Sequence, residues 1–84
     1  MALDIHMRVP PCAPAPEVAA FLTRCERAGL AGVGIVDSQL LLRDPFVTMA
    51  AAARATTTLR MATAVANPVT RHPSVLASAA KSVA

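Results

Sequence analysis

The chain has 84 residues and a mass of 8.7 kDa, with 8 Lys+Arg against 5 Asp+Glu for a formal net charge of +3; this is one small domain at most. Hydrophobic residues make up 55% of it, but 19 are alanines and only two are aromatic, so any core is built from small side chains. Charges at Arg43, Asp44, Arg54, Arg60, Arg71 and Lys81 interrupt each apolar run before it reaches the roughly 18 residues of a membrane span.

The N-terminus carries Asp4 and lacks a long apolar run, so it does not read as a secretory signal, and a cytoplasmic location is expected. Cys12 and Cys25 form no C-x-x-C pair and have no histidine at zinc-finger spacing, which reads as two free thiols and no metal site. The positive charge is scattered singly without aromatic interleaving, an argument against nucleic acid as a partner.

In chain order, residues 3–9 (L-D-I-H-M-R-V) alternate apolar and polar as a half-buried strand does. His6, within it, reads as a core or rim histidine rather than a ligand. Residues 10–16 hold four of the seven prolines and form a loop. From Glu17, Val18, Phe21, Leu22 and Cys25 recur at three- and four-residue steps, with Pro16 and Glu17 suited to a helix start and Gly29 to a left-handed cap after its end.

Residues 32–36 (G-V-G-I-V) are continuously apolar, as in a parallel strand buried on both faces. Asp44-Pro45 supplies an N-cap and a first-turn proline for an alanine-rich helix over 46–55. Residues 59–65 (L-R-M-A-T-A-V) read as a third strand, halted by Asn67-Pro68, and His72-Pro73-Ser74 opens a third helix through Val83. The order β-α-β-α-β-α predicts an α/β layer with a parallel sheet. Three strands cannot cover both faces and both edges of their own sheet, so residues 1–84 are expected to be the first part of something larger.

In such sheets ligands collect at the carboxyl ends of the strands. Asp37, directly after the second strand, suits either a cofactor contact or proton transfer, or else a loop-organising carboxylate. Asn67, Thr70, Arg71 and His72 cluster after the third strand; Arg71 suits an anionic group and His72 a proton, while the same residues also read as a turn and a helix entrance. Gly29, Gly32 and Gly34 form G-x-x-G-x-G ahead of a strand, the wrong order and place for a dinucleotide fingerprint.

The segment from Gly34 onward resembles the N-terminal part of luciferase-like flavin- or deazaflavin-dependent oxidoreductases, the group that includes bacterial luciferase and methylenetetrahydromethanopterin reductase. The most specific stretch is A-T-A-V-A-N-P-V-T-R-H-P over residues 62–73, supported by Asp37 after strand two and by R-D-P-F over 43–46. The resemblance implies a (β/α)8 TIM barrel, of which this chain would be the first three βα units, with FMN or a deazaflavin coenzyme across the strand ends and a small-molecule substrate in the complete protein.

It further implies a non-proline cis peptide at Ala64-Val65, a cofactor bed formed by Asp37, Ser38, Thr63, Ala64, Val65, Ala66, Asn67 and Thr70, and Asp37 as the catalytic residue facing the reactive edge of the ring. Departures from the family pattern stand at Ala62 and Ala64, where glycine is common, at Ala66 for threonine, and at Ser38 for histidine. With five of eight units absent, the chain is expected to be inactive alone. The alternative expectation is a non-catalytic α/β interaction module whose open edges pair with another chain, a homo-oligomer included.

Overall fold

The computed structural model describes residues 3–84; Met1 and Ala2, part of the N-terminus read above, lie outside the described residues. The elements are β1 (His6–Val9), α1 (Ala15–Arg27), β2 (Gly32–Ile35), α2 (Pro45–Ala55), β3 (Arg60–Thr63) and α3 (Pro73–Val83). The strands form one parallel sheet in the order β1-β2-β3, with Gly32 of β2 level with His6 and Arg60, and Gly34 level with Arg8 and Ala62.

Alternation along a strand sends successive side chains to opposite faces. Val33 and Ile35, 2% and 0% exposed, therefore point into one apolar layer with Val9, Leu22, Phe46, Met49 and Leu59. The opposite side of the sheet carries Gly32, Gly34, Arg8, Arg60 and Ala62 by register. A core thus forms on the helical side.

Local signals set the ends of the helices. α1 closes in a Schellman arrangement: Gly29 takes φ 94°, its N–H donates to the Glu26 carbonyl at 3.1 Å, and Leu30 N–H donates to the Cys25 carbonyl at 3.2 Å. α1 begins at Ala15, two residues earlier than the periodicity predicts, because Pro14 and Pro16 already hold helix-compatible φ. For α2, the Asp44 carboxylate accepts from Val47 N–H at 3.0 Å, as Asp44-Pro45 predicts. At α3 the His72 Nδ1 accepts from Ser74 N–H at 3.2 Å and lies 2.8 Å from the Ser74 hydroxyl, so this ring caps a helix.

The strands are shorter than the sequence pattern predicts. β1 pairs from His6 rather than Leu3, and only Val9 of its four residues is buried; Leu3 and Ile5 are exposed, because none of the described residues covers β1's outer edge or far face. His6 is accordingly exposed, not core. β3 ends at Thr63, although Ala64 N–H still donates to the Ile35 carbonyl at 2.8 Å.

One long-range contact fixes where β3 begins. The Glu26 carboxylate at the end of α1 accepts from the backbone N–H groups of Thr57, Thr58 and Leu59 at 2.9, 2.7 and 2.8 Å. The Thr58 N–H is the largest influence holding the Glu26 carboxyl below its ordinary value; desolvation opposes it, and the Leu59 and Thr57 amides add to the lowering. Cys12 is exposed, Cys25 is buried, and both are free thiols. No described helix is long and apolar enough to cross a membrane, and among the described residues no group of three or more His, Cys, Asp or Glu side chains could hold a metal ion.

Candidate functional site

Parallel strands that all run the same way bring the three βα loops to one edge of the molecule. The loops are tied together there. Arg43 N–H in the second loop donates to the Pro11 carbonyl in the first at 2.9 Å, giving the proline-rich segment a definite docking role. The second and third loops are joined by Arg71, whose Nε donates to Asp37 Oδ2 at 3.0 Å and whose Nη2 donates to Asp44 Oδ1. The guanidinium also lies over the Phe46 ring, 5.2 Å from its centroid.

This arrangement bears directly on Asp37. Its side chain is 1% exposed, with Oδ2 taken by Arg71 and Oδ1 accepting from Gln39 Nε2 at 2.8 Å. Both carboxylate oxygens are thus engaged between the loops, an arrangement that organises them. Burial pushes the Asp44 carboxyl up, but the Arg71 hydrogen bond, the Val47 N–H and the Arg71 charge together hold it below its ordinary value. Arg71 in turn is raised by its hydrogen bonds to Asp37 and Asp44.

The other sequence-predicted residues divide between two faces. Ala64 lies on the far side of the sheet from the helices, directly over Gly34: a Cβ placed on Gly34 would sit 2.8 Å from the Ala64 Cβ. The Ala64-Val65 peptide is cis, as the family resemblance implies, and Val65 is exposed. Thr63 and Ala66 instead line an apolar groove of 480 Å³ with Phe46, Met61 and Leu76, on the helical side.

Asn67 and Thr70 are exposed in the third loop and serve its own turn: Asn67 Oδ1 accepts from Val69 N–H at 2.8 Å, and the Thr70 hydroxyl donates to the Asn67 carbonyl at 3.2 Å. Ser38 lines a depression of 160 Å³ beside Asp37, Asp44 and Arg71. That volume is below the roughly 300–1,000 Å³ of ordinary ligand pockets. On the far face the strand ends form a ledge of small residues, Gly34, Ala62 and Ala64, with Arg8 level with Gly34.

Gln39 completes the polar cluster and was not indicated by motif, whereas Phe46, the platform under Arg71, closes the R-D-P-F run; the signal for the cluster was the opposite charge of Asp37, Asp44 and Arg71 at the ends of neighbouring units. Leu40, in the same loop, has φ 68° and is fully exposed, an unusual backbone state for a branched side chain.

Taken together, the chain is an α/β protein with a three-stranded parallel sheet and its candidate site at the carboxyl strand ends. Residues 4–84 match the model of the luciferase-like monooxygenase family, and the chain belongs to that family. Among solved structures it is similar to a coenzyme F420 dependent tetrahydromethanopterin reductase from Methanopyrus kandleri, with a TM-score of 0.89 and 20% identity over 99% of this chain. The match spans 24% of that reductase's length. No curated protein matches the chain.

Proposed function

We propose that the chain forms the first three βα units of a (β/α)8 oxidoreductase barrel and supplies one wall of a site for a flavin or deazaflavin ring. The carrying observation is the run of small residues on the open far face of the strand ends, where the Ala64 methyl packs against Gly34 and Ala62 is exposed. Ser38, Ala64, Val65, Asn67 and Thr70 border that ledge, and Thr63 and Ala66 support the same segment from behind. Asp37 bounds it through the second loop.

A bound cofactor of this class supplies hydride or oxygen chemistry; the residues here bind and orient it. The F420 dependence of the Methanopyrus kandleri reductase supports a deazaflavin over FMN. The substrate is a small molecule reached from the open side of the ring, in a complete protein of cytoplasmic location.

Titration of the ¹⁵N-labelled chain with FMN and with coenzyme F420, read by amide chemical shifts, tests this. Weak perturbations confined to Gly34, Ser38 and residues 64–70, larger for F420, are expected. Shifts elsewhere, or none, would overturn the location, and tight saturable binding would overturn the proposal that further units complete the site.

A further inference from the structure

Arg71 stands out because it does several things from one position. It reaches back across 34 residues to Asp37 and across 27 to Asp44, and it covers the Phe46 ring. Its own backbone N–H donates to the Asn67 carbonyl at 3.1 Å, closing the turn that carries Asn67 and Thr70. The side chain is 16% exposed and the Asp37 carboxylate beneath it 1%. A partly buried guanidinium with two carboxylate partners and an aromatic platform has few alternative rotamers.

We infer that Arg71 is a positioning residue that clamps the third βα loop, residues 64–71, against the end of β2 and the start of α2, and so sets the height and tilt of the ledge on which Ala64, Asn67 and Thr70 sit. Asp37 and Asp44 are its two anchors. The functional consequence rests on the ring-binding reading above; the clamp does not. A lysine cannot replace it, because a single ammonium has no planar fork to meet both carboxylates while stacking on Phe46.

Amide hydrogen exchange on the 84-residue chain without cofactor decides the clamp. In Arg71→Ala, exchange across residues 38–43 and 64–71 is expected to accelerate together by about tenfold, while amides of β2 and α1 stay within about twofold. Arg71→Lys should recover less than half of the lost protection. Asp44→Asn is the second variant, since asparagine still caps α2 but removes one anchor charge; it should loosen residues 64–71 and leave the Val47 amide protected.

Unchanged exchange in the third loop, acceleration spread evenly over the molecule, or full protection with lysine would each overturn the inference. Repeating the cofactor titration on Asp44→Asn separates the two ideas. Wild-type protein that shows no cofactor shifts defeats the ring-binding reading while the exchange pattern still judges the clamp.

Discussion

Gly34 and Ala64 are a matched pair. The Cβ-to-Cβ separation of 2.8 Å that an alanine at 34 would create is shorter than real contacts, and the atom it meets belongs to a side chain fixed to backbone. Gly34→Ala is therefore expected to destabilise the chain by about 1–3 kcal/mol through overpacking, measured as a lower urea midpoint. Gly34→Ala combined with Ala64→Gly should recover most of that loss; a double variant no better than the single one would show that the crowding lies elsewhere. In the sequence Gly34 is legible only as part of a short apolar strand. Its partner lies 30 positions away, just past the end of β3, so no local pattern announces it.

At the scale of elements, the Glu26 contact joins α1 to the turn before β3. Its folded-state pKa is depressed, so its stabilisation is fully present above the ordinary glutamate value of 4.5 and is lost as pH falls through the lower folded value. Glu26→Gln should lower the urea midpoint at neutral pH, and the gap between wild type and variant should close below about pH 4.5. A gap independent of pH would mean that the charge is not what the three amides recognise. The helices themselves were the most legible part of the fold. Asp44-Pro45 and Gly29 act within one turn of the chain they terminate, and periodicity marks the buried stripe of α1. The strands were less so, because β1 and β3 each have a side that the described residues leave uncovered, and their ends depend on pairing rather than on residue type.

For the molecule as a whole, the apolar layer is one-sided and small, and against the expectation from composition it is built mainly of Val, Leu, Ile, Phe and Met, with Ala19 and Ala52 the two alanines among its eleven described buried residues. Small single cores seldom supply more than about 3–5 kcal/mol. Leu22 is 0% exposed at the centre of α1, and Leu22→Ala removes about 2–5 kcal/mol at such a site. The variant is thus expected to lose its cooperative unfolding transition, followed by far-UV circular dichroism during heating. A variant that still melts sharply would show a larger stability reserve than this layer suggests. The open far face of the sheet, with Arg8 and Arg60 flanking the glycines of β2, belongs to the same picture: parallel sheets are normally covered on both sides.

The amino-acid order by itself determined the succession of three βα units, the caps of α1 and α2 and the apolar stripe, since these depend on sterics and hydrogen bonds within a few residues. Family membership was legible too, through the run from Ala62 to Pro73. Tertiary structure alone decided that Asp37 spends its carboxylate on Arg71 and Gln39 and that Ala64 packs against Gly34. Those outcomes turn on which strand ends meet, and charges 34 residues apart find one another only once three parallel strands have brought their loops to a common edge.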